Sequence, residues 1–83
     1  MYFLYIVRCA DKTLYTGITK DVKKRVTEHN TSDKGAKYTR ARRPVKLVFK
    51  KRFRSRSTAS RAEAQIKQLS RTAKLLLIKT AKG

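Results

Sequence analysis

The sequence predicts one α+β domain built on a small antiparallel sheet, with its elements in the order β-β-α-α-β-α-α. Three observations predict it. An aromatic and β-branched stretch at residues 2–7 is followed, after a short polar break, by a second one at residues 14–18. From residue 19 the apolar spacing changes from that of a strand to that of a helix. Alternation then returns in residues 45–53, and two further helical patterns close the chain.

Tyr2, Phe3, Leu4, Tyr5, Ile6 and Val7 read as a strand buried on both faces. Cys9, Ala10, Asp11, Lys12 and Thr13 have turn composition, and the short gap to Leu14, Tyr15, Thr16, Gly17 and Ile18 makes the pair an antiparallel hairpin. Thr19 is the expected N-cap of the first helix, with Asp21 in its first turn, where the dipole favours an acid. Val22 and Val26 lie at i, i+4 and face a core, so this helix is expected to run to Glu28 or His29. Residues 30–35 are turn chemistry, and residues 36–43 form a short basic helix or an ordered loop. After Pro44, Val45, Leu47, Phe49 and Phe53 alternate with Lys46, Lys50 and Arg52, as in a strand with one wet, basic face. Residues 55–58 offer caps for a helix carrying Ala59, Ala62, Ile66 and Leu69. Ser70 caps a last helix bearing Ala73, Leu75, Leu76, Leu77 and Ile78.

The 83 residues include 23 Lys+Arg against 5 Asp+Glu, a formal charge of +18. A field this positive attracts a polyanion through counterion release, without regard to its sequence. With 40% hydrophobic residues the chain is nonetheless a folding one rather than a disordered tail. No apolar run approaches the roughly 20 residues of a membrane span, and no signal-peptide pattern is present, so a cytoplasmic protein without a membrane partner is expected. A single cysteine, Cys9, excludes an internal disulfide and a multi-cysteine zinc site, and its place at a strand end reads as structural.

Few side chains suit chemistry. Tyr5 and Tyr15 sit on the two strands of the hairpin, and both phenols leave one face if Tyr5 pairs with Tyr15 or Gly17. Such a phenol positions water, or takes a proton if its pKa falls from about 10, and the positive field would push it down. The alternative is amphipathic core packing. Gly17 weakens a strand unless something approaches its backbone closely. Arg25 and His29 share a helix face; arginine suits bidentate phosphate binding and histidine a proton transfer. Glu63 is the only carboxylate after Asp33. It is either a solvated partner of its basic neighbours or a ligand for Mg²⁺, which takes one or two carboxylates and fills its sphere with water and phosphate. Lys37, Arg40, Arg42 and Arg43, continuing into Lys46, Lys50, Lys51, Arg52, Arg54 and Arg56, form the expected phosphate-contact surface, where Tyr38 either stacks on a base or packs.

In order, Phe3-Leu4-Tyr5, Tyr15-Thr16-Gly17, Lys23-Lys24-Arg25 with His29, and Glu63 resemble the GIY-YIG nuclease domain. The stretches 35–40 and 43–45, with Ile66-Lys67 and Ser70-Arg71, are similar to the small stand-alone bacterial UPF0213 group. The resemblance covers residues 1–83 as one domain and implies a three-stranded antiparallel sheet flanked by helices. It further implies an endonuclease. Tyr5 and Tyr15 would line the phosphate site, one of them helping to activate water, and Arg25 would stabilise the transition state. His29 would match a histidine that some members carry, and Glu63 would hold one Mg²⁺ or Mn²⁺. Phe3 stands where the motif has glycine, and Thr16 where it has isoleucine. A further active-site asparagine of several such nucleases has no counterpart except the much earlier Asn30. No appended recognition domain is seen, which implies selection of DNA structure rather than sequence.

The function expected is thus a Mg²⁺-dependent DNA endonuclease, with RNA as the alternative substrate and no small-molecule cofactor. Its competitors are a non-catalytic nucleic-acid-binding module of the same fold, an RNA-binding accessory of ribosomal character, and a basic membrane-surface peptide. The oligomeric state stays open.

Overall fold

The computed structural model describes residues 1–31 and 37–81. The elements are β1 (Tyr2–Arg8), β2 (Leu14–Thr19), α1 (Val22–Thr31), α2 (Lys37–Arg40), β3 (Lys46–Phe53), α3 (Arg56–Lys67) and α4 (Arg71–Ala81). The three strands form one antiparallel sheet in the order β2-β1-β3, so β1 is central and buried on both faces.

The hairpin turns through Lys12, whose φ of 69° is the left-handed region that ordinary side chains avoid. Asp11 holds this turn: its Oδ1 accepts from the Thr13 hydroxyl at 2.6 Å and from the Thr13 amide at 3.1 Å. Pairing then places Tyr5 opposite Gly17 and Val7 opposite Tyr15, so both phenols lie on one face, as the hairpin reading required.

Helix ends follow side-chain chemistry. The N-cap of α1 is Asp21, not Thr19: Asp21 Oδ1 accepts from the Lys24 amide at 3.1 Å, while Thr19 accepts from the Asp21 amide and shapes the approach. Helix α1 continues through Asn30 and Thr31, two residues beyond the expected end. Asn30 stays helical because its side chain is bonded across the fold, donating to the Val45 carbonyl at 3.0 Å and accepting from the Val45 amide. The rest of the expected turn, residues 32–35, lies outside the described residues. Ser55 caps α3 by accepting from Thr58, and Ser70 caps α4 by accepting from Ala73.

Strand β3 departs from the simple alternation. Ile6 pairs with Phe49 but Val7 pairs with Leu47, leaving Val48 as an extra, bulged residue. A bulge reverses the facing of everything beyond it. Val45 and Leu47 therefore pack with Tyr5, Val7, Cys9, Val22 and Val26 on the α1 side. Phe49 and Phe53 pack with Leu4, Ile6, Ala62, Ile66, Leu77 and Ile78 on the α3–α4 side. The expected single apolar face is thus two half-faces, and the basic residues Lys46, Lys50, Lys51 and Arg52 remain exposed along this edge strand. The helical spacing that grouped Leu69 with Ala59, Ala62 and Ile66 does not carry it inward, and of the last helix's apolar residues Leu75 and Leu76 are exposed. Leu69 lies beyond the end of α3, and from the last helix it is Leu77 and Ile78 that pack against the narrow sheet.

Candidate functional site

Beneath α1, on the side facing β2, one face of the sheet carries a cluster of polar side chains. Tyr5 is its centre. Its ring lies across Gly17, where a Cβ would stand 2.6 Å from the Tyr5 oxygen and 2.8 Å from Cζ. Glycine is needed here because of this close approach; its backbone φ is not positive. The Tyr5 hydroxyl lies 2.8 Å from His29 Nε2 and is also hydrogen-bonded by Arg25. His29 and Arg25 reach it together because, four residues apart on α1, they share one helix face.

The other groups surround this pair. The Tyr15 ring meets His29 edge-on, with centroids 5.3 Å apart. Its other neighbour is Tyr38 of α2, stacked at 5.8 Å and 25°. Arg42 lies over Tyr38 at 4.1 Å, so the ring is flanked by Tyr15 and Arg42 while remaining 39% exposed at the surface. Arg25 forms an ion pair with Glu28 at 3.3 Å, and its side chain stays partly exposed, as does that of Glu63 on α3. Glu63 stands close enough for its charge to bear on the Tyr5 hydroxyl, and it is paired with Lys67 at 3.4 Å. Tyr5, Tyr15, Gly17, Arg25, His29 and Glu63 therefore belong to one neighbourhood.

Two of these residues are not open to solvent. Tyr5 is 1% exposed and His29 is 0% exposed. Burial drives their protonation in the directions it must. The Tyr5 phenol is pushed up to about 12, because desolvation outweighs the hydrogen bond from Arg25. The expected lowering by the net positive charge does not occur: most of that charge is solvated, whereas the loss of water around the phenol is local. His29 is pulled down to about 4 by burial and then by the neighbouring Arg25 charge, so it is neutral at pH 7. Burial also tends to pull the Arg25 guanidinium down, but Tyr5 and Glu28 outweigh it and leave Arg25 above its usual value.

The four basic residues expected to contact phosphate divide into two kinds. Lys37 and Arg40 are exposed on α2. Arg42 and Arg43 brace the fold. Arg42 donates to the Tyr38 carbonyl at 2.8 Å, and its Nε lies 3.0 Å from Asp11 Oδ2, off the N–H axis, so that contact is Coulombic. Arg43 Nε donates to the His29 carbonyl near the end of α1. Cys9 is buried in the core, and burial pushes its thiol up, as befits a structural residue.

Sequence reading missed Glu28 and Thr39. Thr39 is fully buried, and its Oγ1 lies 2.8 Å from His29 Nδ1. The only available signal was that Tyr38 and Thr39 fall within a stretch characteristic of the resemblance.

Among the described residues no group of three or more His, Cys, Asp or Glu side chains could hold a metal. The donor chemistry at Glu63, a single partly exposed carboxylate, does not suit Zn²⁺, which asks for three or four nitrogen or sulfur ligands. It does suit a hydrated Mg²⁺ or Mn²⁺ that completes its sphere with water and phosphate.

The sequence pattern of the GIY-YIG catalytic domain matches residues 1–76. A UPF0213 protein of Desulfotalea psychrophila is 59% identical over 80 residues, spanning 96% of this chain and 73% of its own length. One from Streptococcus agalactiae is 56% identical over 81 residues, spanning 98% of this chain and 91% of its own. Among solved structures, the solution structure of a UPF0213 protein from Bacillus halodurans superposes with a TM-score of 0.62 at 44% identity, covering 96% of this chain and 85% of that one. A second solution structure, from E. faecalis, gives 0.63 at 36% identity, covering 99% and 88%.

Proposed function

The chain belongs to the GIY-YIG family, a nuclease family, and from that premise we propose that it is a Mg²⁺-dependent DNA endonuclease selecting strand structure rather than sequence. One observation carries this reading: the family's residues, scattered from position 5 to position 63, gather around the Tyr5 hydroxyl in a chain of charge +18.

Exposure assigns the work. Arg25 is open enough to meet a scissile phosphate, and Tyr5 and Glu28 hold its guanidinium in place beforehand. A fixed cation at the site of developing negative charge stabilises a phosphorane-like transition state more than the ground state. The half-buried phenol of Tyr15 holds the attacking water. Tyr5 and His29, both beneath the surface, position Arg25 rather than touch the substrate. Glu63 holds the divalent ion. When bound, that ion supplies Lewis-acid stabilisation of the phosphate oxygens. Lys37 and Arg40 lie outside this cluster and add sequence-independent contacts to the backbone of DNA.

A non-catalytic nucleic-acid-binding module is the second reading, favoured by the Glu63–Lys67 pair, which engages the carboxylate assigned above to the metal. Incubation with branched, nicked and linear DNA in Mg²⁺ or Mn²⁺ separates the two. Wild type is expected to cleave, with Arg25→Ala and Glu63→Ala slower by about 10²–10³-fold. Cleavage that survives Glu63→Ala would sink the assigned site. Binding without cleavage of any substrate would establish the module.

A further inference from the structure

Thr39 lies ten residues beyond His29, on a four-residue helix, and belongs to none of the groups assigned above. Its hydroxyl is fully buried 2.8 Å from His29 Nδ1, while His29 Nε2 lies 2.8 Å from the Tyr5 hydroxyl. Both ring nitrogens are therefore engaged, and in a neutral imidazole one of them donates and the other accepts.

The direction follows from Arg25. A guanidinium has donors only, so the Arg25–Tyr5 hydrogen bond must fall on a lone pair of the Tyr5 oxygen. Tyr5 carries a single hydroxyl proton and is buried. If His29 Nε2 were the donor, the Tyr5 oxygen would accept twice and its own proton would lose its place in the network, at the desolvation cost of a buried donor. The Tyr5 hydroxyl and both ring nitrogens are satisfied when Tyr5 donates to Nε2, which places the imidazole proton on Nδ1, facing Thr39. Burial of the ring, and then the neighbouring Arg25 and Arg43 charges, outweigh the pull of Glu28 and keep a second proton off it.

We propose that Thr39 is a positioning residue whose oxygen accepts the Nδ1 proton of His29, turns the Nε2 lone pair to Tyr5, and so leaves the Tyr5 oxygen facing Arg25. The chain Thr39–His29–Tyr5–Arg25 then transmits orientation from a buried hydroxyl to a partly exposed guanidinium, and His29 orients rather than shuttles protons. The consequence for cleavage rests on the placement of Arg25 at the phosphate proposed above; the hydrogen-bond directions do not.

Nitrogen-15 NMR of the His29 ring tests it directly, on wild type, Thr39→Ser and Thr39→Val. Wild type and Thr39→Ser should show a protonated, pyrrole-type Nδ1 and a pyridine-type Nε2. Thr39→Val, equal in size but without an acceptor, should lose that pattern and cleave about 10- to 100-fold more slowly, with serine restoring the rate. A pyridine-type Nδ1 in wild type would overturn the proposal, and so would an unchanged ring in Thr39→Val. If the valine variant fails to fold, the wild-type and serine spectra still decide. The expected ring signatures without cleavage by any variant would leave the assignment of Thr39 standing and remove the nuclease reading instead.

Discussion

The two faces of the sheet are made from alternate residues of the same central strand, yet they do different work. Leu4 and Ile6 point into an apolar cluster closed by Phe49, Phe53 and Ile78. Tyr5, between them in sequence, points into a cluster where Arg25, His29 and Thr39 are linked by directed hydrogen bonds. Apolar contacts are non-directional, so the first face holds the chain together and tolerates adjustment. Hydrogen bonds between buried groups are directional, so the second face fixes a geometry and tolerates little. A chain this small separates stability from site geometry by the pleat of one strand.

The sharpest separation comes from the apolar face. Ile6→Ala empties a fully buried position and should cost about 2–5 kcal/mol in chemical denaturation. Under conditions where the variant is folded, its ring contacts around Tyr5 should be unchanged by NMR. If they shift as much as the stability does, the two faces are coupled and the comparison fails.

Next in size is a pH effect confined to the polar face. His29 titrates near 4 when folded against 6.5 when free, so below pH 6.5 the unfolded chain binds a proton that the folded chain refuses. Stability is complete above that range and falls as pH drops from about 6.5 to about 4, by a total of about 3 kcal/mol. His29→Gln should flatten this limb; an equal acid limb in both chains would mean that His29 is not held neutral.

Gly17→Ala drives a Cβ to 2.6 Å from the Tyr5 oxygen. The ring must move, at about 1–3 kcal/mol, and the Tyr5–His29 hydrogen bond should break. Unaltered Tyr5 and His29 resonances would show that the contact is not tight. The smallest change should be favourable. Thr16 is 4% exposed on the apolar side, and its hydroxyl has no partner among the described residues. Thr16→Val keeps the shape and removes the orphan, raising stability by about 1 kcal/mol; a lower melting temperature would place a partner on that hydroxyl.

Much of this was legible beforehand. The hairpin, the order of the elements, the caps at Ser55 and Ser70, and the gathering of Tyr5, Tyr15, Arg25 and Glu63 all follow from local patterns and from the resemblance. The bulge at Val48 was not legible, because Val45, Leu47 and Phe49 alternate without a break and only pairing with β1 inserts the extra residue. The Asn30 clamp on Val45 and the Thr39 contact with His29 were equally hidden, since each joins residues ten or more apart that no periodicity relates.

Residue order alone sets the inventory: one strand buried on both faces, a hairpin that sets both tyrosines on one side, and a cationic chain with a lone late carboxylate. Those are consequences of residue type and of the two- and 3.6-residue periods, which are local. Exposure is set by packing in three dimensions. Tyr5 and His29 lie beneath the surface, Arg25 and Glu63 remain partly open, and Arg42 and Arg43 are engaged within the fold. Solvent access at a position depends on which distant element packs over it, and that same loss of water sets the protonation of Tyr5 and His29 against the pull of the chain's net charge.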